Sequence, residues 1–262
     1  MLFYRVHHLI TSKLLSLLAA MSLAVLASQA HAIVNGAPVD DEQFAVDYPW
    51  AVVIVNKSNG GICGGALIAP RWIVTAAHCT GINKYILVGH ADRTEARRVE
   101  IERAIRNPEF NKTTLQNDVG LLFLAEALDI EAIALASTSE TRAMLLPGAV
   151  ATIAGWGVPA YRRSPSERLV EGRARLDKLV TQGSQYIYDD PNTGPCGRDS
   201  GGPMVMQLSN GRRVLVGVAS ATDGNLCAKG GGVAIYTNLS AVRDFIDTQI
   251  QRFTPEQRLN AS

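Results

Sequence analysis

Eight short apolar or β-branched runs punctuate this chain: Trp50 to Val55, Cys63 to Ile68, Trp72 to Thr75, Tyr85 to Val88, Val119 to Leu124, Val150 to Ala154, Val214 to Ser220 and Gly232 to Tyr236. Each is four to seven residues long and bounded by Gly, Pro, Asn or Asp clusters. That is the pattern of strands between turns. Many short strands with no alternating helical segments predict an all-β barrel or sandwich. One helical stripe stands out late: Val242, Phe245, Ile246, Gln249 and Ile250 share one face, with Ser240 in the N-cap position. A helix is therefore predicted over about 240–252. Leu128 to Pro147 shows no strand pattern and reads as a link between two halves, and residues 254–262 form a polar tail.

The first 32 residues read as an export signal. Arg5 and Lys13 precede a largely apolar run, Leu14 to Leu26, and Ala30-His31-Ala32 supplies a small-x-small cleavage pattern. The run is too short for a good membrane span, and no later stretch approaches ~18 uninterrupted apolar residues. Cleavage after Ala32 lowers the basic count from 25 to 23 against 24 acids. A near-neutral mature chain, about −1, gives no support for binding nucleic acid or a membrane surface. The expected location is secreted or periplasmic.

All four cysteines, Cys63, Cys79, Cys196 and Cys227, lie in the mature part. An even count in an exported chain reads as two disulfides, and four cysteines allow three pairings. Neighbour pairing, Cys63 with Cys79 and Cys196 with Cys227, is the simplest. No cysteine pair has CxxC spacing and Gly89 to Arg97 holds no cage of carboxylates, so no metal site is expected.

Three segments carry candidate chemistry. In Pro195-Cys196-Gly197-Arg198-Asp199-Ser200-Gly201-Gly202-Pro203, a serine sits in a glycine-rich turn whose successive amides can form an anion-binding nest. Such a serine can attack a carbonyl while the amides hold the developing oxyanion. It needs a general base, and histidine is best matched to neutral pH. Once His7, His8 and His31 leave with the signal, His78 and His90 remain. His90 lies in a polar loop and reads as a surface residue, whereas His78 ends an apolar strand beside Cys79. Asp118 opens the apolar run Val119 to Leu124, so its carboxylate faces burial and needs a strong partner. An imidazole that becomes imidazolium during a reaction is one.

On these residues the chain resembles the trypsin/chymotrypsin-like serine proteases. The matching segments are Ile33-Val34-Asn35-Gly36, Thr75 to Cys79, Asn117 to Leu122, Ala154-Gly155-Trp156-Gly157 and Asp199 to Pro203, with histidine, aspartate and serine in the family's order. The resemblance implies two six-stranded antiparallel β-barrels with the active site in the cleft between them, plus a C-terminal helix. Barrel one is expected over about 33–135 and barrel two over about 136–238, within a protease domain of 33–253. It implies Ser200 as nucleophile, His78 as general base and Asp118 as the residue that orients His78. The substrate is then a protein or peptide; no cofactor is needed, and a monomer is expected. Trp72 and Trp156 read as core packing.

Three features are individual. The family pairs the free amine of its first residue, here Ile33, with the aspartate before the nucleophile, here Asp199. Such a buried pair costs roughly 3–5 kcal/mol to break from one side. No propeptide separates Ala32 from Ile33, so signal removal itself is expected to release that amine. Arg198 stands where the family has an oxyanion-hole glycine, and its Cβ disfavours positive φ. Distortion of the hole would cost ~2.7–4 kcal/mol per lost donor. Weak activity, a hole completed by substrate, or a charge contact on the leaving-group side are the alternatives. The pocket floor falls on Gly194, with Ser220, Thr222 and Ala234 in the wall. Without an acid at the floor, a narrow pocket for small apolar side chains is expected, unless Asp189, Asp190 or Asp223 reaches it and restores a basic preference. The competing functions are a catalytically weak or inactive secreted binding module, resting on Arg198, and a serine esterase, disfavoured because Arg198 breaks the G-x-S-x-G elbow.

Overall fold

The computed structural model describes residues 32–81, 83–158, 164–190, 192–223 and 232–253. Residues 1–31, the polar tail and Cys227 lie outside them.

The first half is a closed barrel of six antiparallel strands: β2 (Ala51–Asn56), β3 (Ile62–Ala69), β4 (Trp72–Thr75), β5 (Lys84–Val88), β6 (Arg97–Arg106) and β7 (Gly120–Leu124), in the order β2-β3-β4-β7-β6-β5. The apolar runs fill its interior. Every residue of β4 and β7 is buried, as are all but the last of β2. β6 escaped the sequence pattern because its Arg-Glu-rich outer side faces solvent, where Lys57 and Arg98 both pair with Glu100.

The second half is a curled antiparallel sheet of eight strands, in the order β1-β9-β8-β12-β13-β14-β11-β10. β1 (Ala37–Pro38) joins it from the N-terminus, followed by β8 (Val150–Gly155), β9 (Val170–Arg175), β10 (Asp177–Gln182), β11 (Gln185–Asp190), β12 (Pro203–Gln207), β13 (Arg213–Thr222) and β14 (Gly232–Asn238). The expected mostly-β, two-part architecture is present; the second part, expected as a six-stranded barrel, is a curled half-barrel sheet of eight strands. Two cores result. One fills the closed barrel and extends to Trp156, Leu215, Val218 and Ile246; the other lies within the curled sheet around Ile33, Ile153, Tyr186, Tyr188 and Tyr236. Trp72 and Trp156 are core residues, 3% and 4% exposed.

Among the described residues there are three short α-helices: α1 (Asp41–Asp47), α2 (Thr138–Met144) and α3 (Arg243–Phe253). The linking stretch contains α2, started by a reciprocal capping box between Ser137 and Glu140. The predicted C-terminal helix begins at Arg243. Ser240 lies three residues before its first residue, outside the N-cap position, and its hydroxyl donates to Asn238 Oδ1 at 2.8 Å. The expected bridge Cys63–Cys79 is present, and it ties β3 to the turn after β4. Cys196 is also disulfide-bonded. Among the described residues no helix is long and apolar enough to cross a membrane.

Candidate active site

β4 ends at Thr75, whose hydroxyl donates to Gly64 O at 2.7 Å, and the chain then tightens into one 3-10 turn, Ala77–Cys79. That turn presents His78. Its carbonyls are held from outside, Cys79 O by Lys84 Nζ and Ala77 O by Arg106 Nε at 3.2 Å. Burial, then the nearby Arg106 charge, lower the Lys84 pKa below the usual lysine value.

Asp118 is fully buried two residues before β7. A carboxylate there must have its oxygens bonded. Oδ1 accepts from the His78 backbone N–H at 3.1 Å, and Oδ2 lies 2.8 Å from His78 Nδ1. Oδ2 also accepts from Ser220 Oγ at 2.6 Å, and Thr237 Oγ1 donates to the Asp118 carbonyl at 2.8 Å. Ser220 comes from β13 and Thr237 from β14. The closed barrel therefore supplies the carboxylate and the imidazole, and the curled sheet supplies the hydroxyls that complete the aspartate's hydrogen bonds. Ser220, a candidate for the pocket wall, directs its hydroxyl to Asp118. Sequence reasoning missed this role for Ser220 and passed over Thr237. Their only sequence signal is a hydroxyl on an otherwise buried strand.

Ser200 occupies the turn before β12. Gly64 N donates to Ser200 O at 2.8 Å, and Cys79 Sγ lies 3.7 Å from the same oxygen. The residue next to His78 thus touches Ser200. Glycine is required at Gly201, which has φ 77°; a Cβ there would lie 2.1 Å from Thr75 Oγ1 and 2.5 Å from Gly64 O. Arg198 takes φ 71°, the left-handed conformation that glycine adopts more readily, and its side chain is exposed. The turn forms with arginine in that place, at the backbone cost a Cβ imposes.

Asp199 is buried behind Ser200. Oδ1 accepts from Gly157 N at 2.8 Å and Oδ2 from Cys196 N at 2.9 Å. A Cβ on Gly155 or Gly157 would overlap this carboxyl, at 2.0 and 2.5 Å, which explains the glycines around Trp156. Burial pushes the Asp199 pKa up to about 7, against the two amide hydrogen bonds that favour the anion. Ile33 is 1% exposed and packs on Gly172, while Val34 N donates to Gly194 O at 3.0 Å.

Gly194 and Ala234 are buried, and Thr222 pairs with Ala234 across β13 and β14. Asp189 and Asp190, which could have charged a pocket, are engaged elsewhere. Asp190 accepts backbone N–H groups of Arg175, Asn192 and Thr193, and Asp189 pairs with Lys178 at 3.0 Å. Asp223 is exposed, and its N–H donates to Val233 O at 3.1 Å. His90 lies apart, with Nδ1 accepting from Asp92 N at 3.0 Å. Among the described residues no three His, Cys, Asp or Glu side chains gather as a metal site.

The sequence model of the Trypsin family matches residues 33–246. The chain belongs to the trypsin family. It is 28% identical over 230 residues to a trypsin of Phaedon cochleariae, covering 79% of this chain and 85% of that protein. It is likewise 28% identical over 236 residues to cathepsin G of Mus musculus, covering 82% and 85%. As a trypsin-family member the protein is a serine endopeptidase, and its substrates are peptides or proteins.

Two predictions follow from the turn around Ser200. Arg198→Gly should raise stability in urea denaturation by up to about 1 kcal/mol, since relief of ~1–2 kcal/mol of left-handed strain exceeds the ~0.5–1 kcal/mol entropy penalty of glycine. No gain would mean that the arginine side chain makes a compensating contact. The second concerns Asp199 in a chain whose Ile33 nitrogen is still a peptide amide. Its folded pKa lies above the usual carboxylate range. Between about pH 4 and 7 the folded chain therefore holds a proton that the unfolded chain has released, and stability falls as pH rises. The fall should reach a few kcal/mol, at about 1.4 kcal/mol per pKa unit. Urea denaturation at closely spaced pH values measures it, and a flat profile would contradict it.

Proposed function

We propose that this protein is an exported endopeptidase that works through an acyl-enzyme, with Ser200 as nucleophile, His78 as general base and Asp118 as the orienting carboxylate. The observation that carries this reading is the hydrogen-bond chain from Ser220 through the buried Asp118 to His78 Nδ1, with Ser200 in the adjoining turn. Asp118 holds the proton on Nδ1, which leaves Nε2 as the atom that accepts a proton. Nε2 takes the Ser200 hydroxyl proton as Oγ attacks the scissile carbonyl. The backbone N–H groups of Arg198 and Ser200 hold the oxyanion, and the imidazolium then protonates the leaving amine. Water, activated by the same imidazole, releases the acyl group.

The substrate pocket in this reading is built on Gly194, Thr222 and Ala234. Small apolar residues before the scissile bond suit it, because side chains at Thr222 and Ala234 narrow it and Asp189 and Asp190 are engaged elsewhere. Residues 1–32 act as a secretory signal whose removal exposes the Ile33 amine. As an ammonium group that amine pairs with Asp199 and compensates the burial of its carboxylate. The inactive binding-module alternative rests on Arg198 alone, and the left-handed φ at that residue weakens its support.

The test is intact-mass analysis of the exported protein after reaction with a fluorophosphonate, beside Ser200→Ala. Stoichiometric labelling of a chain beginning at Ile33, abolished by the substitution, is the expected result. A folded, correctly processed protein that takes no label would overturn the catalytic reading in favour of the binding module.

A further inference from the structure

The segment that delivers Asp118 is gripped by the other half of the molecule. Just before Asp118, Leu115 and Asn117 take φ of 59° and 58°. Residues with a Cβ keep such angles where the surrounding structure over-determines them. Here the surroundings are the tight turn between β10 and β11. Gln116 Nε2 donates to Gln182 O at 3.1 Å and to Gln185 Oε1 at 2.8 Å. Gln116 Oε1 accepts from Ser184 N and from Ser184 Oγ, both at 2.9 Å. Both donors and both acceptor sites of this amide are filled.

The turn holds the neighbouring residues as well. Ser184 Oγ accepts from Asn117 N at 2.6 Å, and Gln185 Nε2 donates to Thr114 O at 2.8 Å. Gly183 is open enough for the approach; a Cβ there would lie 2.5 Å from Gln116 Oε1. The turn is in turn anchored beside the aspartate's own support. Ser184 O accepts from Asn238 N at 2.8 Å, one residue beyond Thr237, which bonds the Asp118 carbonyl. Ser184 and Gln185 are buried. The grip therefore ends one peptide before Asp118, and β14, which pairs with β11, bears the second support of that residue.

We propose that Gln116 is a positioning residue: with Ser184 and Gln185 it forms a clasp between the two sheets that fixes Asp118 and, through it, the His78 imidazole. The proposal rests on the catalytic reading above. Gln116 acts through Asp118, and its removal changes how the imidazole is held. The clasp also explains why the sheet without His78 or Asp118 must be docked before these two are aligned.

The test compares Gln116→Ala, Ser184→Ala and Ser184→Thr with the parent in the mature protein. Steady-state kinetics on a peptide ester are read beside the rate of fluorophosphonate labelling at Ser200. Misplacement on the scale of an ångström predicts a loss of about tenfold or more in kcat and labelling rate, with KM changed by less than about twofold. The Nδ1–H proton of His78, shifted downfield by its bond to Asp118, should broaden or vanish in both alanine variants. Ser184→Thr retains the hydroxyl and should restore kcat to within about threefold of the parent. If Gln116→Ala does not fold, the Ser184 pair decides. Alanine variants that fold and keep kcat within about twofold, or that lose activity only through KM, overturn the clasp. A parent that takes no label overturns the catalytic reading, and the clasp with it.

Discussion

The burial of the Asp118 carboxylate is the constraint on which the rest of this structure depends. An uncompensated charge in a protein interior is costly by several kcal/mol. Asp118 is compensated by the His78 backbone, the His78 ring and the Ser220 hydroxyl, with Thr237 bonded to its carbonyl. These partners come from the turn after β4, from β13 and from β14. The closed barrel cannot satisfy Asp118 alone. The curled sheet supplies the remaining hydrogen bonds, so the packing of the two halves completes the fold and the site together.

Asp199 poses the same problem with a different solution. Its two oxygens are met by two backbone amides, and burial still pushes its pKa to about 7. Gly155 and Gly157 leave the room it occupies. The family resemblance implies a cation from the new N-terminus as the missing partner. In that arrangement a single cleavage at Ile33 changes the charge balance directly behind Ser200. The turn that carries Ser200 is held by a buried carboxyl on one side and by β3 on the other, where Gly64 is close enough that a Cβ would lie 2.7 Å from Gly202 Cα.

Much of the fold was legible in the sequence. The runs that became β2, β3, β4 and β7 are buried almost throughout and carry little but apolar residues, so burial and sequence agree. β6 and β10 were not legible, because solvent covers one side and charged or polar residues hide the alternation. α2 was missed because its start is signalled by a capping box instead of an apolar stripe. At the site, His78, Asp118 and Ser200 stood out because each is chemically costly or unusual where it sits. Ser220, Thr237 and Gln116 did not. Their importance lies in partners more than 60 residues away in the chain, a relation that no local pattern encodes. Arg198 was legible as a departure from a glycine-rich turn, and the structure shows how the backbone absorbs it, at φ 71°.

The central claim is that Asp118 is a buried anion whose function is to hold His78 in one tautomer beside Ser200. Asp118→Asn tests it most directly, since the amide keeps the shape and removes the charge. In the trypsin triad itself this exchange costs about 10⁴ in kcat while the geometry persists. The account predicts a folded variant whose kcat on a peptide ester falls by about that factor, with KM little changed. A folded variant within about tenfold of the parent would contradict it, because His78 would then need no buried carboxylate.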